Sequence, residues 1–261
     1  IEHPMALDHL DEILANCDAV MVARGDLGVE IPLEEVPIAQ QKIIDSALEL
    51  GMPVIVATQM LETMTVNPRP TRAEVSDVST AIRQGATGVM LSGETASGKY
   101  PVESVQTMSR IAVSTEQGLQ SSNLKPESAT RFKSTRAVAH AGVELAKMAG
   151  ASRILVATER GNAPRLVSSY RPGMPVTAVT DSLATARRIQ ILSGVDSVIV
   201  EEYERGSKTM QNAIALQLDS GKVQPGDKIV AISGSPKAIS GLTSTARLYK
   251  ISDSGEIVGT E

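Results

Sequence analysis

The sequence predicts a mixed α/β protein with two successive regions of parallel sheet. In residues 1–117, three short apolar runs begin near Ala19, Pro53 and Gly88, and each is followed by polar or small residues and then by an amphipathic stretch. This alternation of strand, loop and helix is typical of a parallel sheet with right-handed crossovers. The chain has 261 residues and a single phenylalanine, so its core is built mainly from aliphatic side chains, as is common where helices cover both faces of a sheet.

Four helices are predicted in the first region, because apolar residues recur three and four positions apart. The second of them has Ile38 on its apolar face, and Gly51 follows as its stop signal. Thr71 precedes the third helix and forms a predicted capping box with Glu74. The four predicted helices cover residues 7–16, 37–50, 73–84 and 101–116.

A polar stretch over residues 117–130 separates the two regions and predicts a linker. We therefore expect one domain over residues 1–117 and a second over residues 118–261. The second is predicted to be an open, mostly parallel sheet with helices on both faces, and its first helix is capped by Ser134 or Thr135. Its predicted strands cover residues 153–157, 175–179, 197–200, 228–232 and 246–251, and its connecting helices cover residues 163–169, 183–192 and 208–218.

Composition argues against several classes of protein. A formal net charge of −5, without basic residues alternating with aromatic ones, argues against binding to nucleic acids or anionic membranes. No apolar run approaches the ~20 residues of a membrane-spanning helix. The single cysteine, Cys17, excludes an internal disulfide framework and fits a reducing, cytoplasmic compartment. Because the chain opens on Ile1 without a signal-peptide core, we expect its start to be internal to a longer protein.

Polar residues follow all three predicted strands of the first region, namely Asp26, Thr58 and Ser92. Because ligands of parallel α/β proteins bind at the carboxyl ends of strands, these residues could face one site. Two carboxylates, Glu2 and Asp26, suit a hard cation such as Mg²⁺ or Mn²⁺, although surface acids near loops are the plainer interpretation. Gly25 permits a close approach, so the N–H groups of Gly25 and Asp26 are expected to bind an anion.

A second candidate anion site lies in the second region, where a loop joins the strand ending at Ala157 to a helix. The N-terminus of a helix presents N–H groups to a phosphate, but Glu159 adds negative charge that disfavours a bisphosphate. An unliganded loop is the alternative interpretation. The candidate ligand residues are Thr158, Arg160, Gly161, Asn162, Ala163 and, from a later strand end, Lys237.

Five stretches in the first hundred residues resemble the pyruvate kinase family in their order and spacing. They are residues 1–2, 21–30, 57–62, 68–74 and 90–96, which include Ala-Arg-Gly-Asp-Leu-Gly, Pro-Arg-Pro-Thr-Arg-Ala-Glu and Leu-Ser-Gly-Glu-Thr-Ala. Three strands cannot close a barrel of eight. The resemblance therefore implies a partial (β/α)8 TIM barrel, from the end of strand five through strand eight. The second region, which is less specifically similar, would be the family's C-terminal regulatory domain.

The resemblance also implies a reaction, in which phosphoenolpyruvate transfers its phosphoryl group to ADP and gives pyruvate and ATP. In the family, the residues that match Glu2 and Asp26 bind the divalent metal, and the turn at Gly25 holds the substrate carboxylate. Thr58 would then lie near the enolate carbon that is protonated, and Ser92 would belong to a proton-carrying water network. A hydroxyl that caps the following turn is the plainer interpretation of Ser92.

Further expectations follow from the same resemblance. The family's catalytic lysine would precede Ile1, and the K⁺ ligands and most nucleotide contacts would also lie outside this chain, so we expect the chain alone to be inactive. Arg69, Thr71 and Arg72 would contact a neighbouring subunit of a homotetramer. The loop at Thr158 would bind a phosphorylated allosteric effector, although members that respond to fructose bisphosphate commonly have a serine where this chain has arginine.

Two other classes stay open on the sequence. Aldolase or lyase barrels also place a glutamate and an aspartate on Mg²⁺ at strand ends, but they are not expected to carry the segments 68–74 and 90–96 at this spacing. The non-enzymatic alternative is a free-standing module built on residues 118–261 that binds a nucleotide or a sugar phosphate.

Overall fold

A computed structural model describes residues 1–119, 133–201, 203, 207–234 and 243–259. The chain divides into two units, Ile1–Gln120 and Ser121–Glu261. Among these described residues, each unit is built around its own sheet, one of three strands and one of six. In the described part of the chain, no helix is long and apolar enough to cross a membrane.

The first unit contains three parallel strands in the order β1 (Val20–Ala23), β2 (Val54–Ala57) and β3 (Gly88–Val89). Val22 lies beside Val56 and Val56 beside Val89, so the carboxyl ends of the three strands meet at one edge. The predicted strand end at residues 1–2 is not a regular strand, yet it keeps the pairing. The amino group of Ile1 donates to the carbonyl of Met21 (2.7 Å), and the N–H of Ala23 donates to the carbonyl of Ile1 (3.1 Å).

The four predicted helices of this unit form with two corrections, and two further helices, Arg24–Glu30 and Gly93–Ala96, were not predicted. The predicted helix 7–16 is two short helices, because His9 between them has non-helical dihedral angles (φ −107°, ψ 24°). Ile38 is 71% exposed and does not belong to the buried face of its helix. The helices are α1 (Pro4–Asp8), α2 (Leu10–Ala15), α3 (Arg24–Glu30), α4 (Val36–Glu49), α5 (Arg72–Gln84), α6 (Gly93–Ala96) and α7 (Pro101–Gln117), with 3-10 turns at Leu33–Glu35 and Glu62–Thr65.

The second unit is an open sheet in the order β6-β5-β4-β7-β8-β9, parallel through β7 and antiparallel at β8 and β9. The prediction missed β9, and it wrongly used Ser134 or Thr135 as a cap, because both lie inside the first turn of α8. The strands are β4 (Arg153–Ala157), β5 (Val176–Thr180), β6 (Val195–Ile199), β7 (Lys228–Ser233), β8 (Thr245–Ile251) and β9 (Ile257–Gly259). The helices are α8 (Lys133–Ala149), α9 (Asn162–Ser169), α10 (Leu183–Arg188) and α11 (Ser207–Asp219), with a 3-10 turn at Ile189–Ile191.

Two separate apolar clusters cover the two faces of the second sheet. Alternate residues of β4 point to opposite faces, so Ile154 joins the cluster formed with α8 and α9, whereas Leu155 joins the cluster formed with α11. Every residue of β4 and β5 is buried. This is the pattern expected of central strands covered on both sides, and the prediction of helices on both faces is confirmed.

Candidate active site

The first candidate residue, Asp26, lies where β1 ends. The sequence suggests a loop after this strand because Gly25 and Gly28 disfavour a helix. The structure instead forms α3 directly after β1, with Asp26 in its first turn and Leu27 buried beneath it. The first-turn N–H groups of a helix have no acceptor within the helix. The exposed Asp26 carboxylate therefore stands at the end of the helix that carries partial positive charge.

Glu2 lies at the same edge of the sheet, where it is placed by the pairing of Ile1 with β1. The two hydrogen bonds of Ile1 align it beside β1, so Glu2 follows at the level where that strand ends. The Glu2 and Asp26 carboxylates are both exposed. Their oxygen donors fit a hard divalent cation. Among the described residues no group of three or more His, Cys, Asp and Glu side chains could enclose a metal ion. The metal role of Glu2 and Asp26 stays a prediction.

Thr58 and Gly25 are in direct contact. The Thr58 hydroxyl donates to the carbonyl of Ala57 (2.6 Å) and accepts the N–H of Gly25 (2.8 Å). The structure therefore brings two of the predicted site residues together across β1 and β2. It also changes one expectation, because the N–H of Gly25 that was predicted to face an anion is here bound by a side chain. The N–H of Asp26, one residue further into the first turn of α3, is the better placed of the two for a carboxylate.

Thr58 and the residue after it have an uncommon backbone conformation. Their φ angles are +70° for Thr58 and +53° for Gln59, in the left-handed region that favours glycine. Each such residue costs about 1–3 kcal/mol and persists only when its surroundings hold it. Strained residues cluster at functional sites, so this turn supports the prediction that Thr58 has a functional role.

Ser92 lies just after β3, but its predicted cap is wrong. Within the described part of the chain, its hydroxyl makes no cap hydrogen bond to α6. Its N–H instead donates to Oε2 of Glu94 (2.8 Å), and Oε1 of the same carboxylate accepts the N–H of Leu61 (2.9 Å). Glu94 is completely buried. One carboxylate thus ties the segment after β3 to the segment after β2, an arrangement that the sequence did not reveal.

Arg24 is a second residue that sequence reasoning missed. Its guanidinium group donates to the carbonyl of Thr58 (2.7 Å) and forms an ion pair with Asp77 of α5 (2.7 Å). The three residues are far apart in sequence, so their contact is not visible in the motif that contains Arg24. The signal that could have found it is a charged residue immediately before the Gly-Asp pair at a buried strand end.

The segment before α5 forms the predicted capping box. The Thr71 hydroxyl accepts the N–H of Glu74, and the Glu74 carboxylate accepts the N–H of Thr71. Burial raises the pKa of Glu74, but hydrogen bonds from Thr63 and Thr71 outweigh that effect and hold the pKa below its ordinary value. Arg69 precedes this box and Arg72 lies within it, and both residues are exposed. Their part in a subunit contact stays a prediction.

The loop between β4 and α9 contains an internal hydrogen bond between a side chain and the backbone. The buried Thr158 hydroxyl accepts the N–H of Gly161 (2.8 Å), which has a φ of +86°. Asn162 and Ala163 open α9, but Pro164 follows and has no N–H to offer. Arg160 is exposed, and Lys237 lies outside the described residues. The Thr158 hydroxyl thus already binds one N–H of the loop, and the effector site and the unliganded loop both stay predictions.

Comparison with known proteins identifies the family. The family model for the pyruvate kinase barrel domain matches residues 1–105, and the model for the pyruvate kinase alpha/beta domain matches residues 136–249. These matches define the class of protein, one built from part of a barrel domain followed by an α/β domain. The chain belongs to the pyruvate kinase family.

Individual relatives agree with this assignment. Pyruvate kinase from Staphylococcus epidermidis is 43% identical over 256 residues, which are 97% of this chain and 44% of that protein. Pyruvate kinase from Geobacillus stearothermophilus is 42% identical over 259 residues, with 97% of this chain and 43% of that protein covered. The crystal structure of a pyruvate kinase from Cryptosporidium parvum superposes with a TM-score of 0.86 at 34% identity, covering 96% of this chain and 50% of that one. The chain thus spans about half the length of the relatives it matches.

Proposed function

We propose that this chain, joined to a segment equivalent to the other half of its relatives, transfers the phosphoryl group of phosphoenolpyruvate to ADP. The observation that carries the proposal is the contact between Thr58 and Gly25, beside Asp26 and Glu2, at the carboxyl edge of the first sheet. The family match supplies the reaction. Phosphoryl transfer depends on positioning and charge compensation more than on covalent catalysis, and an edge with two carboxylates can hold the divalent cation that supplies that compensation.

Each residue has a role in this proposal. Glu2 and Asp26 hold Mg²⁺ or Mn²⁺, which when bound supplies positive charge beside the transferring phosphoryl group. The N–H of Asp26 and the turn at Gly25 bind the substrate carboxylate. The Thr58 hydroxyl, which is already a hydrogen-bond donor and acceptor, lies near the enolate carbon and takes part in its protonation. Ser92 extends this hydrogen-bonding region from the end of β3.

The same proposal includes partners that rest on the resemblance alone. K⁺ and most contacts to ADP would come from residues outside this chain, so the chain by itself is expected to have no kinase activity. We propose a cytoplasmic homotetramer in which Arg69, Thr71 and Arg72 face a neighbouring subunit. A phosphorylated effector at the loop of Thr158 and Arg160 is the part of this proposal with the least support, because the Gly161 N–H is already bound by Thr158 and Glu159 adds negative charge.

A coupled assay tests the proposed function. The chain is fused behind the N-terminal half of the Geobacillus stearothermophilus relative and assayed with phosphoenolpyruvate, ADP, Mg²⁺ and K⁺, with lactate dehydrogenase reporting pyruvate. We expect activity from the fused protein and none from the chain alone. Activity of the chain alone would show that the upstream lysine is dispensable and that the proposed mechanism is wrong.

The same preparation separates the alternative functions. Retro-aldol activity without ADP would replace the proposal with an aldolase or lyase. If neither protein is active, and residues 118–261 bind a sugar phosphate tightly, the binding module would replace it.

A further inference from the structure

One arginine side chain donates hydrogen bonds to the backbone of the turn that follows β2. Arg24 is only 11% exposed. Its Nε donates to the carbonyl of Ala57 (3.3 Å), and its Nη2 donates to the carbonyl of Thr58 (2.7 Å) with a longer contact to the carbonyl of Gln59 (3.5 Å). Three successive carbonyls therefore face a single planar cation, across the two left-handed residues of the turn.

The orientation of that guanidinium group is fixed from the other side. Its Nη1 lies 2.8 Å from Oδ1 and 2.7 Å from Oδ2 of Asp77, on helix α5. A paired, mostly buried guanidinium has few alternative orientations, and its rigid fork places several donors at once in a way that a lysine ammonium cannot. Asp77 thus sets the direction in which Arg24 presents its donors to the turn.

The far end of the turn is fixed independently. The buried Glu94 carboxylate accepts the N–H of Leu61 (2.9 Å), so the segment between Ala57 and Leu61 is held at both ends by charged side chains from other elements. The hydroxyl of Thr58 points at the N–H of Gly25 only while the backbone keeps its left-handed angles. Relaxation of the turn would rotate that hydroxyl away from the site.

We infer that Arg24, oriented by Asp77, is a positioning residue that holds the Thr58 hydroxyl in its reactive direction. The inference rests on the proposed function, because it assigns a partner to a residue of the proposed site. Arg24 acts through Thr58 and through the carbonyls around it. Loss of its fork geometry is therefore expected to lower kcat, while the substrate carboxylate still binds and KM changes little.

The test uses the fused protein with Arg24→Lys, which keeps the charge and removes the fork. We expect kcat to fall about 100-fold, the scale of a roughly 1 Å misplacement, with KM for phosphoenolpyruvate within about threefold of its original value. Asp77→Asn should give a smaller loss of the same kind, because it keeps a hydrogen bond and removes the charge. Arg83→Lys, at the exposed end of α5, is the matched control and should leave kcat unchanged.

A double-mutant cycle shows whether Arg24 acts through Thr58. In a Thr58→Ala background, Arg24→Lys should lower kcat by no more than about twofold, because the hydroxyl that it positions is gone. The inference would be overturned if Arg24→Lys lowered kcat by about the full 100-fold in the Thr58→Ala background. It would also be overturned if Arg24→Lys left kcat unchanged in the fused protein that retains Thr58.

An independent readout keeps the inference testable if the fused protein is inactive and the proposed function fails. Amide hydrogen exchange of Gly25, followed by NMR in the 261-residue chain, should accelerate about tenfold in Arg24→Lys, since the Thr58 hydroxyl no longer holds that N–H. Exchange of Ile82, inside α5, should be unchanged. Equal protection of Gly25 in both proteins would overturn the positioning role whatever the activity.

Discussion

Asp26→Asn is expected to lower kcat/KM for phosphoenolpyruvate by about 1,000-fold in the fused protein, the scale of losing one preorganised charge contact in an active site. Asparagine has nearly the same shape, so α3 and the contact between Gly25 and Thr58 should survive. What is lost is the anionic oxygen proposed to bind the divalent cation. The coupled assay, repeated over a range of Mg²⁺ concentrations, measures the effect.

Two further variants show whether the loss of activity in Asp26→Asn comes from the loss of a metal ligand. Glu2→Gln should also raise the Mg²⁺ concentration needed for half-maximal activity, because it removes the other proposed ligand. Asp11→Asn, an exposed carboxylate of α2, should change nothing. Unchanged activity and unchanged Mg²⁺ dependence in Asp26→Asn would contradict the metal and substrate roles assigned to Asp26.

Asp196→Ala is expected to destabilise the second unit. Asp196 accepts hydrogen bonds from Thr177 of β5 and from Lys222, and it pairs with the largely buried Arg153 of β4. Removing Asp196 takes away the negative charge that is paired with the Arg153 guanidinium. Because Asp196 is itself 36% exposed, we expect a loss of about 2 kcal/mol rather than the larger values seen for fully buried pairs. Urea unfolding followed by circular dichroism measures it.

The loss of stability caused by Asp196→Ala should become smaller at low pH. Burial raises the pKa of Asp196, but Lys222, Thr177 and Arg153 together hold it below its ordinary value of 3.8. A depressed carboxyl pKa contributes stability that is fully present above the unfolded pKa and is lost as the pH falls through the folded pKa. The difference between the original chain and Asp196→Ala should therefore be constant near pH 7 and shrink below about pH 4.

A surface ion pair provides the control for that experiment. Glu144 pairs with Lys147 one turn away on α8, and this hydrogen bond lowers the pKa of Glu144. Glu144→Gln should cost less than ~0.5 kcal/mol, because exposed pairs are screened by solvent. A loss in Asp196→Ala no larger than this control would show that the cluster around Asp196 does not stabilise the sheet.

Local signals in the sequence were sufficient for much of the fold. The capping box of Thr71 and Glu74 involves residues three apart, so its chemistry is visible without tertiary information. The buried strands follow from continuous apolar runs, and β4 begins and ends where predicted. Family membership was also accessible, because five segments matched in order.

Contacts between residues that are distant in the sequence could not be predicted from it. Arg24 meets Thr58 and Asp77 only because the register of β1 and β2 and the packing of α5 bring them together. Nothing local marks Thr58 as left-handed, since threonine ordinarily avoids that region. The helix α3 formed despite two glycines because Leu27 is buried beneath it, a case of tertiary packing overriding local propensity.

The central claim is that the carboxyl edge of the first sheet forms a metal and substrate site. The most direct measurement is a crystal structure of the fused protein with Mn²⁺ and phosphoenolpyruvate, in which anomalous scattering locates the metal. We predict one Mn²⁺ within about 2.2 Å of carboxylate oxygens of both Glu2 and Asp26, with the substrate carboxylate at the N–H of Asp26. Mn²⁺ bound elsewhere, with Glu2 and Asp26 free of both metal and substrate, would contradict the account.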